Sequence, residues 1–326
     1  MKVNLSSFLQ SRKNIFLYRK LGWKLALSYI ILLGKLYLFF NQKEKRKIEK
    51  AVGIVFAENS RRYKLGNAPQ KVFHGIFSHY YEKLFNAYSC VETLKAFFNL
   101  RVRARNMELL SQGLSRGNGI LLITGHFGGV EFIPAYLGTL GFPVTIIVRF
   151  SSIHLRQISF QKADQFKTKI IDADNTPNVM KAIFDNLKEN RIVITQCDEI
   201  DEWRPSKNEK ISFLGKNTHL DRTMNVLARR CGPEILFAVM HRRNPQDYTF
   251  VVSSKEQMQA CIPAAAQVSV GALVLKFLER HIYAYPEQWY QWKKYFEIDG
   301  QVIRDAHPIP SPAIPPALEP SFGKAS

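Results

Sequence analysis

Cysteine is scarce: four in 326 residues, at 90, 197, 231 and 261, with no two at the spacing of a zinc knuckle or a redox pair. So low a density builds no disulfide framework, and reduced thiols in a cytosol-facing protein are expected. The eight histidines show no metal-ligand spacing, since His74 and His79, five apart, leave a helix on different faces. There is no internal repeat. Acidic residues are also few, 27 Asp and Glu against 46 Lys and Arg, which gives a net charge of +19. That surplus exceeds what solubility requires. It favours a polyanionic partner: nucleic acid, an anionic membrane surface or an acidic carrier protein.

Hydrophobic residues make up 46% of the chain, so it folds, and its length allows one large core or two small ones. Residues 1–20 are basic and amphipathic, with Arg12, Lys13, Arg19 and Lys20. An apolar run follows from Trp23 to Phe40, and then the charged run Lys43-Glu44-Lys45-Arg46-Lys47. The apolar run approaches the ~20 residues that span a bilayer. Lys24 and Lys35 sit within it, so a helix lying in the membrane interface competes with a spanning one. A cleaved signal peptide is a poor fit, because lysines follow where a small-residue cleavage site would stand. A buried core helix has the same composition; the basic flanks with Trp23 and Tyr37 favour the membrane.

Residues 45–112 read as helical, broken once at Gly66-Asn67-Ala68-Pro69, with the helix resuming over 72–90. From Gly119 the pattern changes. Ile120–Thr124, Val144–Val148, Ile192–Thr195 and Ile235–Val239 are short apolar runs suited to buried strands, with a further candidate at Thr249–Val252. Helices are expected at 132–140, 181–189, 223–230 and 270–281. This alternation predicts an α/β layered fold. The tail holds six prolines from His307 onward and is expected to be disordered. The organisation read from the sequence is therefore a membrane-binding segment at 1–45, a catalytic domain at 46–300 and a Pro-rich tail at 301–326.

Gly113-Leu114-Ser115-Arg116-Gly117 matches the G-x-S-x-G nucleophile elbow, but that elbow needs a strand before it and a helix after it. Here the order is reversed, so Ser115 reads as a loop residue at a helix end. The informative stretch is Thr124-Gly125-His126-Phe127-Gly128-Gly129-Val130-Glu131. A histidine follows a buried strand at its C-terminal edge, where α/β folds bind ligands. Two glycines then lead into a helix whose free amides suit an anion. A neutral imidazole takes a proton from an alcohol, and a carboxylate fixes its tautomer. His126 and Glu131 are the expected catalytic pair. Gly128 and Gly129 amides, or Arg149, are the expected donors to the oxyanion.

The stretch from Ile120 to Arg149 resembles the lysophospholipid acyltransferase superfamily, whose mark is His-x4-Asp/Glu. More closely it is similar to the late lauroyl and myristoyl acyltransferases of lipid A biosynthesis. The shared blocks run in family order: Thr-Gly-His-Phe-Gly with the glutamate, Val148-Arg149, Gln196-Cys197-Asp198, Phe213-Leu214-Gly215, and Pro286 to Trp292. The chain departs from the pattern at Thr218–Arg222, at Cys197 where the family has proline, and at Lys293–Glu297. These departures leave acyl transfer intact and widen the acceptors to other glycolipids, phospholipids and aminolipids.

The resemblance implies a mixed central sheet flanked by helices. The implied enzyme sits at the cytoplasmic face of the bacterial inner membrane, peripheral or single-span. It moves a fatty acyl chain from acyl carrier protein or coenzyme A to a lipid hydroxyl. Gly128, Gly129, Arg149 and Asp198 bind substrate, the thioester is a co-substrate, and no other cofactor or metal is implied. The rest of the acidic stretch after Gln196, through Glu199, Asp201 and Glu202, reads as a solvated loop, and His219 beside Asp221 as coincidence. Nucleic-acid binding is the rival in another class; it calls for aromatic–basic motifs on a sheet face, and the sequence shows none.

Overall fold

The computed structural model describes residues 5–9, 11–21, 23–57, 68–150, 153–244, 246–262 and 268–298. The glycine-led break at 66–67 and the tail at 301–326 lie outside the described residues. The chain begins with helices α1 (Leu5–Leu9), α2 (Arg12–Lys20), α3 (Trp23–Phe40), α4 (Gln42–Ala57), α5 (Ala68–Tyr88) and α6 (Val91–Arg101). In α4 the apolar residues recur every three or four positions, so Ile48, Ala51, Val52, Val55 and Phe56 share one buried face. Phe56 meets the rings of Tyr283 and Trp292 edge-on or tilted.

Helix α3 is mostly apolar, with Ser28 and Lys35 on its exposed side, and buried on one side only. Ala26, Ile30, Tyr37 and Leu38 face the protein, while Leu25, Leu32, Leu36, Phe39 and Phe40 are exposed. Gly34 brings α3 against α5: a Cβ there would stand 2.4 Å from the Phe77 ring. Among the described residues no single helix is long and apolar enough to cross a membrane. Residues Leu25–Phe40 and Gln42–Ala57 reach that length and composition only as a pair bent by 99°.

From Val102 strands and helices alternate: β1 (Val102–Arg105), α7 (Glu108–Ser115), β2 (Ile120–Thr124), α8 (Ile133–Thr139), β3 (Val144–Val148), α9 (Ile153–Gln165), β4 (Lys169–Asp172), α10 (Val179–Lys188) and β5 (Ile192–Gln196). A two-stranded antiparallel ribbon follows, β6 (Pro205–Phe213) and β7 (Lys216–Asp221), then α11 (Thr223–Cys231), β8 (Glu234–Asn244), β9 (Asp247–Ser254), α12 (Lys255–Gln259) and α13 (Val270–Ala284). Two 3₁₀ turns, Pro286–Gln288 and Gln291–Glu297, close the described chain.

Among the described residues the main sheet has seven strands in the order β1-β9-β8-β2-β5-β3-β4. Every neighbouring pair is parallel except β8 with β9, so the sheet is mixed and mostly parallel, as the resemblance implied. Strand β2 lies between β8 and β5 with all five residues buried, which is why it reads as an uninterrupted apolar run. The four cysteines are free thiols.

Candidate active site

The parallel pairing of β2 with β5 builds the site. Thr124 and Gln196, the last residues of the two strands, lie in register, and the Cys197 amide donates to the Thr124 carbonyl at 2.9 Å. Two residues beyond each strand, His126 and Asp198 therefore stand side by side at the carboxyl edge. Asp198 is fully buried. Its Oδ1 is 2.9 Å from His126 Nδ1, the His126 amide donates to both its oxygens at 3.0 Å, and Trp289 Nε1–H donates to Oδ2 at 2.7 Å. On the other side of the ring, Glu199 Oε2 is 3.1 Å from His126 Nε2. Burial alone would lower the His126 pKa, but Asp198 and Glu199 outweigh it and raise it from 6.5 to about 9. Burial would raise Glu199; His126 and Lys294 outweigh it and pull the carboxyl down to about 2.

Glu131, the expected partner of His126, lies elsewhere. No hydrogen bond or ion pair joins the two side chains among the described residues. The Glu131 carboxylate is 3.6 Å from His79 Nε2, and its backbone carbonyl accepts from Asn86 of α5. The short 3₁₀ turn Val130–Phe132 starts directly after the glycines and aims this side chain at α5. The carboxylate on Nδ1 comes instead from the neighbouring strand.

The glycine amides also differ from expectation. Gly128 N–H donates to the Gln288 carbonyl at 2.8 Å and Gly129 N–H to the Met240 carbonyl at 2.7 Å. Both are occupied in joining the turn to β8 and the closing 3₁₀ segment, so neither is free for an oxyanion. Arg149 extends from the end of β3 into the cleft wall, half exposed, with Asp174 at 3.3 Å and Glu202 at 3.0 Å. Asp198, expected on the substrate side, stands behind the histidine. Ser115 is exposed at the end of α7 and bonds back to Gln112. His219 bonds to the Ser206 carbonyl, and Asp221 Oδ1 accepts from the amide and hydroxyl of Thr223, so the two do not form a pair.

Several residues entered the site without a sequence signal. The His79 ring stacks on Tyr290 with centroids 3.4 Å apart, and Tyr290 meets His126 edge-on at 5.1 Å. Burial pushes the His79 pKa well down, and the charges of Lys83, His126, Arg242 and Lys293 push it the same way. Its Nδ1 has no hydrogen-bond partner among the described residues. A helical histidine 47 positions before His126 carries no pattern that announces this. Trp289 and Tyr290 fall in the closing Pro-Glu-Gln block, whose residues set their place in the chain but not their contacts with Asp198 and His126.

In front of His126 lies a cleft of about 1080 Å³. Ile146, Ile170, Met180, Ile183, Ile194 and Leu227 give part of its wall an aliphatic surface. Lys83, Arg204 and Lys293 also line it, and none of the three has a carboxylate partner among the described residues. The acids after β5 do have partners: Glu199 and Asp201 meet Lys294 at 3.1 and 2.5 Å, and Glu202 meets Arg149. Among the described residues no group of three or more His, Cys, Asp or Glu side chains is placed to hold a metal ion.

A family model described as bacterial lipid A biosynthesis acyltransferase matches residues 14–297. No curated relative matches the chain.

Proposed function

The chain belongs to the bacterial lipid A biosynthesis acyltransferase family, and on that premise we propose that it moves a fatty acyl chain from acyl carrier protein or coenzyme A to a hydroxyl of a membrane glycolipid, a lipid A precursor or a related lipid. The members of this family are acyltransferases, so the chain is an enzyme of acyl transfer. One observation carries the finer reading: an imidazole held by a buried carboxylate opens onto a cleft with an aliphatic wall.

In this reading His126 Nε2 takes the proton of the acceptor hydroxyl as its oxygen attacks the thioester carbonyl. The C–S bond then breaks, and the same proton passes from Nε2 to the leaving thiolate. Asp198 holds Nδ1–H and stabilises the imidazolium between the two steps. Glu131 acts from the cleft wall, fixing His79 beside the substrate. With both glycine amides occupied, the charge on the tetrahedral oxygen falls to a cleft cation. Arg149, at a strand's carboxyl edge, is the candidate once substrate displaces its acidic partners. The aliphatic wall suits the acyl chain. Lys83, Arg204 and Lys293 suit the phosphate that both thioester donors carry on their pantetheine arm.

Localisation at the cytoplasmic face of the inner membrane is part of the same proposal. The outer face of α3 exposes five large apolar side chains, and the basic start of α4 follows immediately. Each such side chain gains about 1.5–3 kcal/mol on leaving water, and nearby lysines draw anionic headgroups at ~1 kcal/mol each. An interfacial helix accounts for both features.

The test is an acyl-transfer assay with labelled acyl carrier protein or acyl-coenzyme A. The acceptor panel comprises lipid A precursors, lysophospholipids and aminolipids. Labelled product on a lipid A precursor is expected. Product on a phospholipid or an aminolipid alone would keep the chemistry and replace the acceptor.

A further inference from the structure

Both ring nitrogens of His126 face carboxylates: Asp198 at Nδ1, 2.9 Å away, and Glu199 at Nε2, 3.1 Å away. An ionised carboxylate only accepts hydrogen bonds, and a neutral imidazole has a single N–H. The arrangement is satisfied when the ring carries both protons. An imidazolium has no lone pair with which to take a proton from a hydroxyl. The position held by Glu199 Oε2 is also where the oxygen of an attacking hydroxyl must stand to reach Nε2.

Glu199 is built to leave that position. Its side chain is about one-third exposed, whereas Asp198 is sealed behind the ring. Its second oxygen already meets Lys294 at 3.1 Å, and Lys294 also meets Asp201 at 2.5 Å. A Glu199 turned away from the histidine keeps a cationic partner. The groups around the imidazole are Asp198 and Glu199 from the end of β5 and Tyr290 from the closing segment, with His79 of α5 and Glu131 beyond that ring. Lys294 and Asp201 stand behind Glu199.

We propose that Glu199 is a latch on the catalytic base, a positioning residue that holds Nε2 protonated and covered until the acceptor hydroxyl displaces it. The proposal rests on His126 being the base. When the hydroxyl takes the place of Glu199, the imidazolium loses one of its two carboxylates and releases its Nε2 proton to cleft water. Neutral Nε2 then receives the hydroxyl proton as the ester bond forms, and returns it to the thiolate as the C–S bond breaks. Before the acceptor arrives, water meets no free base, so the bound thioester is spared hydrolysis to fatty acid and thiol.

The test uses the full-length protein with Glu199→Gln and Lys294→Gln. The His126 imidazole is titrated by NMR, and thioester consumption is measured with and without acceptor. Glu199→Gln is expected to lower the His126 pKa by about one unit or more, the range of a lost neighbouring charge. That raises the neutral fraction at pH 7 about tenfold, and acceptor-free hydrolysis rises with it, in a manner abolished by adding His126→Ala. Lys294→Gln removes the partner that competes for Glu199 and is expected to move both readouts the opposite way. Unchanged titration and hydrolysis in Glu199→Gln, with His126→Ala inactive, would overturn the latch alone. Full transfer by His126→Ala would overturn the base and the latch together.

Discussion

In the proposed mechanism the carboxylate that orients His126 is Asp198, 2.9 Å from Nδ1, and not Glu131, which meets His79. Changing Asp198 to Asn replaces an acceptor with a group that can hold the wrong tautomer, and kcat is expected to fall by up to ~10⁴. Glu131→Gln leaves both ring nitrogens of His126 with their present partners. It is expected to change KM more than kcat and to leave the pH profile in place; steady-state kinetics across pH separates the two variants. In the proposed mechanism the wild-type imidazole must lose a proton to act, and its pKa is raised to about 9. The kcat/KM limb controlled by His126 is therefore expected to keep rising through neutral pH toward 9. The same shifts bear on stability. The raised His126 contributes stability that is complete below its ordinary 6.5 and lost as pH rises through about 9. The lowered Glu199 contributes stability that is present above its ordinary 4.5 and lost as pH falls through about 2. Urea midpoints are thus expected to hold between about pH 4.5 and 6.5 and to decline on either side, less so in Glu199→Gln.

What holds the histidine turn in place is a set of crossings between elements. Gly128 has φ +58°, and a Cβ there would lie 2.0 Å from the Met240 carbonyl oxygen. Gly128→Ala is expected to cost about 1–3 kcal/mol through backbone strain and to shift His126 off Asp198, so denaturation and activity should fall together. Glu82 of α5 is fully buried against Arg242 of β8, at 2.6 and 2.9 Å, and accepts from Tyr248 at 2.8 Å. The Arg242 amide donates to Gln288, which ties the pair to the segment carrying Trp289. Glu82→Ala leaves a buried guanidinium uncompensated and is expected to destabilise by about 3–5 kcal/mol in urea denaturation.

The same elements show what could be read beforehand. Strands β2, β3, β5 and β8 announced themselves because burial on both faces leaves continuous apolar runs. Strand β4 sits at the sheet edge with Lys169 and Asp172 at its ends, β6 carries the polar stretch Lys207 to Lys210, and β7 is mostly polar from Lys216 to His219, so none of the three gave a run to read. Helix α9 buries only Ala163 fully and has no apolar stripe. His126 was legible as the residue closing a buried strand. Its partnership with Asp198 was not, because it follows from β5 lying beside β2, a fact of strand order and not of local sequence.

Taken together, one side of the protein carries the exposed face of α3, and the cleft carries Lys83, Arg204 and Lys293, which have no carboxylate partner among the described residues. Replacing Leu32, Phe39 and Phe40 with Ser is expected to weaken binding to vesicles containing anionic lipid while leaving the folded core intact. Co-sedimentation compared with circular dichroism checks this, and undiminished binding would remove α3 as the membrane contact. Raised salt is expected to weaken the wild-type interaction, since headgroup attraction is screened within a Debye length of about 8–10 Å. These properties matter only if the cleft performs acyl transfer from His126. The most direct measurement is therefore single-turnover transfer of a labelled acyl group from its thioester to a lipid acceptor, by wild type and His126→Ala at equal folded concentration. The account predicts product from the wild type and a loss of at least ~10²-fold in the variant. Equal rates from the two proteins would contradict it.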